Sequence, residues 1–199
     1  MSDVAKAELR SRALAARAAV AQAERGSAAG SLAARGLPFA VVPGSIVAGY
    51  SPMRGEIDPS PLMARLRQGG AELALPCVTA TGEPLLFRAH APGQELVRGR
   101  YGVAEPAPDC RALTPDVILV PLLAFDAGGQ RLGYGAGFYD RTLAELRRSK
   151  AVVAVGLAFA MQQVAQVPAT SHDVALDYVV TENHWFHFRS GKIADSLCR

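Results

Sequence analysis

The sequence predicts a three-layer α/β/α fold, a mostly parallel sheet with helices on both faces, and three observations carry that expectation. Short apolar runs of strand length at 46–50, 117–120 and 151–156 alternate with segments of helical periodicity. The runs are apolar throughout, as in strands buried on both faces, not alternating as in a half-exposed sheet. Glycine and proline punctuate them: Pro43-Gly44 before the first, Gly69-Gly70 after an intervening helix, and Pro121 after the second.

Taken in order, residues 3 to about 25 read as one long, alanine-rich helix with Leu9, Ala13, Ala16 and Val20 on one face. Lys6, Arg10 and Arg17 share a neighbouring stripe, being four and seven residues apart. By composition alone such a stripe reads as a solvated face. Gly26 and Ser27 are expected to end this helix and open a shorter one that runs through Leu37 and stops before Pro38. The first strand, 46–50, leads into Ser51-Pro-Met-Arg-Gly-Glu-Ile-Asp58, a loop at the strand end where ligands gather in open α/β sheets. Asp58 is expected to cap a helix over 59–68, because its carboxylate accepts from free N–H groups and Pro59 suits a first turn. Glu56 has no such structural task. Strands are expected at 72–78 and 84–88. Residues 89–116, with repeated glycine and proline, read as a long irregular segment of the kind that covers sites. After 151–156, the run 176–180 is expected as the last strand, with Asp177 a turn residue before it.

The most informative stretch is Arg131-Leu-Gly-Tyr-Gly-Ala-Gly-Phe-Tyr-Asp140-Arg141, with glycines at 133, 135 and 137. The buried run 117–120 precedes it, and Phe138, Leu143 and Leu146 recur behind it at near-helical spacing. Strand, glycine loop and helix together aim backbone N–H groups and the positive helix end at an anion. Arg131 and Arg141 can add charge-assisted hydrogen bonds, and Asp140 can hold a metal that bridges phosphate oxygens. Neither Gly-x-Gly-x-x-Gly nor the P-loop pattern is present. On this stretch alone, a tight surface turn is an equal reading.

At 199 residues, half of them hydrophobic and a fifth charged, the chain reads as one soluble globular domain spanning 1–199. A net charge of +3 fits an anionic small molecule and gives no mandate for nucleic acid. Cys77, Cys110 and Cys198 have no zinc spacing and read as reduced thiols. His184 and His187 lack the further ligands of a zinc site. No apolar run reaches membrane-spanning length. Asp3, Glu8 and Glu24 interrupt the Ala- and Arg-rich start, against a transit peptide. A cytoplasmic location and a monomer are expected.

Pro121-Leu-Leu-Ala-Phe-Asp126 followed by the glycine stretch closely resembles the signature of the 5-formyltetrahydrofolate cyclo-ligase (5,10-methenyltetrahydrofolate synthetase) family. Three further blocks match in order: Lys6-x-x-Leu9-Arg10, Tyr50-x-Pro52-x-x-Gly55-Glu56-Ile57-Asp58 and His172-Asp173-Val-x-Leu176-Asp177. The resemblance spans nearly the whole chain. It implies a fold related to the sugar-phosphate isomerases and coenzyme A transferases. It also implies the ATP- and Mg²⁺-dependent conversion of 5-formyltetrahydrofolate to 5,10-methenyltetrahydrofolate, with small molecules as partners. By the same resemblance Arg131 and Lys6 are catalytic. ATP falls to these two, Arg10 and the loop Leu132, Gly133, Tyr134, Gly135, Ala136, Gly137, Phe138 and Tyr139. The folate falls to Arg10, Ser51, Met53, Glu56, Tyr134, Gly135, Ala136, Gly137 and Phe138, and the metal to Asp140 and Asp173. Gln162 matches a recurring family glutamine, with a polar loop residue as an equal reading. Tyr134 and Ala136 depart from family members that carry a basic residue near there. That departure bears on nucleotide affinity. The alternatives are another enzyme of this fold, a sugar-phosphate or acyl transferase-like protein without the ligase reaction, and a folate- or nucleotide-binding module without turnover. RNA binding is disfavoured, since no basic patch is interleaved with aromatics.

Overall fold

The run 117–120 becomes β7 (Val117–Pro121), a central strand of an eight-stranded sheet among the described residues, 2–188 of the computed structural model. Cys198 lies outside the described residues. Parallel neighbours flank β7: β1 (Ile46–Ala48) on one side and β10 (Val153–Leu157) on the other. Beyond them β2 (Glu72–Cys77) and β11 (Tyr178–Val180) extend the parallel part. Antiparallel strands finish the edges, β3 (Leu86–Ala89) with β6 (Ala112–Leu113) at one and β12 (Trp185–His187) at the other. The predicted α/β class therefore holds.

Strand residues alternate between two apolar cores because successive side chains leave opposite faces. Val117, Leu119 and Val155 pack with Leu32 of α2 (Gln22–Arg35) and Leu62 and Met63 of α3 (Ser60–Gln68). Ile118, Val120 and Ala154 pack on the other face with Leu143 of α4 (Phe138–Ser149). A third, smaller cluster joins Leu9 of α1 (Ser2–Ala18) to Ala124, Leu132 and Val167. It seats α1 on a short hairpin, β8 (Ala124–Phe125) and β9 (Arg131–Leu132), outside the carboxyl end of β7. Among the described residues no helix is long and apolar enough to cross a membrane.

Four expectations need correction. The N-terminal helix breaks at 19–21, not at Gly26, and α2 runs through Gly26 and Ser27. Propensity is nearly uniform there. Tertiary packing decides, with Val20 lying against the core and Glu24 accepting the Ala21 N–H at 3.3 Å. The irregular segment contains β6 and a hairpin, β4 (Leu96–Arg98) with β5 (Ala104–Pro106). The run at 178–180 is followed by β12, which pairs with it. Between β7 and the glycine loop stands the β8–β9 hairpin, whose turn is made by Asp126: Oδ1 accepts the N–H groups of Gly128 and Gln130. The Asp58 reading holds, with its Oδ1 2.9 Å from the Ser60 N–H.

Asp177 is more than a turn residue. Its Oδ2 accepts from Arg147 Nη2 at 2.6 Å and the Ala154 N–H at 2.7 Å, and the side chain is buried. It ties α4 to β10 beneath the site. Asp177→Ala leaves Arg147 and a strand amide without this acceptor, so stability should fall by about 3 kcal/mol. Urea unfolding measures it, and a loss within error would make the pair dispensable.

Candidate active site

Four segments converge outside the carboxyl ends of β1 and β7: α1, the loop 51–58, the glycine loop 133–137 with the start of α4, and the loop 170–174. The glycine loop can take its path because Gly135 and Gly137 have φ of 101° and 66°, a region that side-chain-bearing residues rarely adopt. Gly137 is the residue before α4, so the loop ends on that helix's N-terminus. Arg10 from α1 holds it from below, donating Nε to the Gly133 carbonyl at 3.0 Å. Arg141 holds the other end, donating Nη2 to the Ala136 carbonyl at 2.6 Å.

Two ion pairs lie beside the loop. Lys6 Nζ is 2.6 Å from Asp173 Oδ2, and Arg131 Nη2 is 2.6 Å from Asp140 Oδ1. The Val174 N–H also donates to Asp140 Oδ1 at 3.0 Å, and Arg131 Nη1 donates to the Val174 carbonyl, so the two pairs adjoin. Burial opposes ionisation of Asp173, but Lys6 and the Thr170 N–H and hydroxyl outweigh it and hold its pKa below the usual carboxylate range. Burial lowers the pKa of the Arg131 guanidinium, and Asp140 opposes that shift. Each carboxylate keeps one oxygen, Oδ2 of Asp140 and Oδ1 of Asp173, without a hydrogen-bond partner among the described residues. Two hard oxygen donors suit Mg²⁺, which takes one or two carboxylates and completes its shell with water and phosphate oxygens. Among the described residues no cluster of three or more His, Cys, Asp or Glu side chains forms a closed metal cage.

Glu56, from the loop 51–58, is buried. Its Oε2 accepts the Met53 N–H at 2.9 Å, whereas Oε1 is buried without a hydrogen-bond partner among the described residues. Burial raises its pKa, and the Met53 N–H, Arg17, the Tyr134 hydroxyl and Arg54 act against that rise. A buried acceptor left open costs free energy and is available to a ligand donor.

The chain matches the profile of the 5-formyltetrahydrofolate cyclo-ligase family over residues 2–182. It belongs to that family. The cyclo-ligase of Escherichia coli is 40% identical over 146 residues, 71% of this chain and 80% of that protein. The cyclo-ligase of Mycolicibacterium smegmatis is 37% identical over 190 residues, 91% of this chain and 95% of that one. The solved structure of Aquifex aeolicus 5,10-methenyltetrahydrofolate synthetase superposes with a TM-score of 0.76 at 30% identity and covers 94% of both chains. The Mycoplasma pneumoniae synthetase has the same fold, with a TM-score of 0.69 at 23% identity over 89% of this chain and 98% of that one.

On this cyclo-ligase scaffold Lys6, Arg10, Arg131, Asp140, Asp173, Glu56 and the glycine loop come together. Leu132 does not face the loop: its side chain is in the core with Leu9, so only its backbone is left for a ligand. Ser51 donates Oγ to the Ala104 carbonyl at 2.6 Å and so tethers the β4–β5 hairpin. Gln162 is neither a surface residue nor free. It is buried and donates Nε2 to the Leu122 and Leu123 carbonyls at 2.8 and 3.0 Å. Tyr101, to which the sequence assigns no role, stands at the hairpin tip with its ring edge-on to Phe138 at 5.8 Å. Sequence reasoning gave Arg17 too little weight. Arg17 is fully buried, and only its stripe with Lys6 and Arg10 hinted at this.

Burial holds the Glu56 carboxyl above its ordinary value of 4.5, so the folded chain takes up this proton at higher pH than the unfolded chain. Between the two values the native state binds more protons, and stability falls as pH rises through that window. Glu56→Gln removes the ionisation. The variant should melt above the wild type at pH 7, and the gap should close below about pH 4. Thermal melts across pH read this directly, and a variant that melts lower at pH 7 contradicts it.

Proposed function

We propose that this protein converts 5-formyltetrahydrofolate and ATP to 5,10-methenyltetrahydrofolate, ADP and phosphate, with Mg²⁺, as a single-domain cytoplasmic monomer. The observation that carries the reading is Glu56. It is a buried carboxyl with an open oxygen, close to Tyr134 of a glycine loop that ends at a helix N-terminus, and the buried cations Lys6 and Arg131 lie beside that loop. One wall suits the N–H donors of an amino-pyrimidine edge, and the other suits phosphates. Membership of the cyclo-ligase family and the names of its relatives support the same substrates.

The formyl oxygen is a poor leaving group, and phosphorylation makes it a good one. That oxygen attacks the γ-phosphorus of ATP and ADP departs. The neighbouring folate nitrogen then attacks the formyl carbon and loses its proton, and the C–O bond breaks with phosphate leaving. Such transfers need positioning and charge neutralisation more than covalent help. Arg10 and the backbone of 133–137 position the nucleotide, while Glu56 and Met53 position the pterin. Lys6 and Arg131 neutralise charge on the transferring phosphoryl group. Asp140 and Asp173 would hold Mg²⁺, which supplies further neutralisation of the phosphates.

Purified protein should therefore form methenyltetrahydrofolate absorbance from 5-formyltetrahydrofolate only with Mg-ATP, one phosphate per turnover. Equal product without nucleotide would remove the phosphorylation step. A folate- or nucleotide-binding module would bind and release no ADP. Glu56→Gln should weaken folate binding roughly ten- to a hundredfold, the worth of a charge-assisted hydrogen bond, with ATP binding unchanged. Calorimetry separates the two ligands, and unchanged folate binding would move the pocket elsewhere.

Asp140→Asn has two expected effects, because Asp140 also holds buried Arg131. Stability should fall by roughly 3 kcal/mol as Arg131 loses its counter-charge. Turnover should fall steeply, and raised magnesium or manganese should restore part of it in protein kept folded by a low assay temperature. Magnesium dependence identical to wild type would leave Asp140 with the Arg131 pair alone.

A further inference from the structure

Arg17 is fully buried, yet no carboxylate among the described residues lies within ion-pair distance of it. Its guanidinium is spread over three segments. Nε donates to the Arg54 carbonyl and Nη1 to the Leu122 carbonyl, each at 3.2 Å, and Nη2 donates to the Tyr134 hydroxyl. The guanidinium carbon is also 5.6 Å from the Tyr134 ring centre, and that of Arg54 is 5.4 Å from the same ring. A buried cation without a counter-ion is costly, and an apolar side chain of similar size would serve packing at less cost. The contacts of this one point toward the site. Tyr134 stands in the glycine loop, Arg54 stands two residues before Glu56, and Leu122 follows β7.

The direction of the hydrogen bonds matters. A phenol has one proton to give. Because the Tyr134 oxygen accepts from Arg17, its own O–H is left to donate toward the Glu56 carboxyl, with which it interacts. Glu56 Oε1 has no hydrogen-bond partner among the described residues. Resting on the folate reading above, we propose that Arg17 is a positioning residue for the substrate. It orients the Tyr134 hydroxyl as a donor and sets a positive charge near Glu56, so that Oε1 accepts from a substrate N–H.

The surroundings of Glu56 support this. Three phenols face it, Tyr50 after β1, Tyr134 from the glycine loop and Tyr139 from α4, and burial pushes all three up, so they are neutral at working pH. Two cations face it, Arg17 from α1 and Arg54 from its own loop. Arg54 is exposed and screened by water, whereas Arg17 is not.

The test compares wild type with Arg17→Met, Arg17→Lys and Tyr134→Phe in the ATP-dependent assay, with steady-state constants for both substrates from acid to neutral pH. Arg17→Met should raise the KM for 5-formyltetrahydrofolate ~10- to 100-fold, leave the KM for ATP in place, and move the acid-side loss of folate affinity to higher pH. Arg17→Lys, which keeps the charge, should return that pH profile toward wild type. Tyr134→Phe keeps the ring and the carbonyl contacts of Arg17, and should raise the folate KM in the same sense. Wild-type folate KM and pH profile in both Arg17→Met and Tyr134→Phe would overturn the proposal while the reaction stands. A proportionate change in both KM values for Arg17→Met, with Tyr134→Phe silent, would also overturn it and leave Arg17 a scaffold residue. If Arg17→Met does not fold, Tyr134→Phe decides alone, and an unchanged folate KM refutes the proposal. Absence of turnover and of folate binding in wild type would overturn the reaction assignment and this proposal with it.

Discussion

Three cations of one helix, Lys6, Arg10 and Arg17, are anchored on segments that lie more than a hundred residues away in the chain, and the rest of the site depends on them. Charge out of water must find partners. Here the partners are Asp173, the Gly133 carbonyl and the Tyr134 hydroxyl, on loops with little packing of their own. The apolar contribution to seating α1 is modest, essentially Leu9 against the β8–β9 hairpin. Cation contacts therefore set where the helix lies, and the helix in turn sets where the loops lie.

The same constraint leaves the charges of the site paired with one another. The two cations proposed for phosphate rest on the two carboxylates proposed for metal, Lys6 on Asp173 and Arg131 on Asp140. A cluster of bare cations, or of bare carboxylates, would repel itself in a half-buried cleft. Paired, the groups are held in place at little cost. An incoming polyanion with its counter-ion can exchange these partners without leaving any charge alone, because each carboxylate retains a free oxygen. Glu56 is the exception. Its Oε1 has no hydrogen-bond partner among the described residues.

Below the site the sheet supplies rigidity. β7 pairs with β10 over five residues in register, and both faces of these strands are dry. Gln162 then fastens the Leu122 and Leu123 carbonyls just beyond β7, the point from which Arg17 is also reached. Asp126 shapes the hairpin that follows and accepts the Val167 N–H through its other oxygen. These side chains are polar and buried because they satisfy backbone groups that no strand partner reaches.

The sequence by itself determined the fold class, strands at the apolar runs 117–120 and 151–156, and the helix after the glycine loop, whereas Lys6, Arg10 and Asp173 stand out only through the resemblance to the cyclo-ligases. Local signals suffice for the fold and that helix: apolar runs bounded by Gly and Pro, and a glycine loop in which Gly135 and Gly137 take positive φ. The boundary between α1 and α2 was not legible, because Ala-rich propensity is flat there and packing of Val20 chose the break. The hairpins at 96–106 and 124–132 were not legible either, since two- and three-residue strands carry no period. Arg17 is the sharpest case. On a helix stripe it is indistinguishable from the solvated arginines around it, and only the tertiary structure, by bringing the carbonyls of Arg54 and Leu122 and the Tyr134 hydroxyl to one point, decided that its charge is buried.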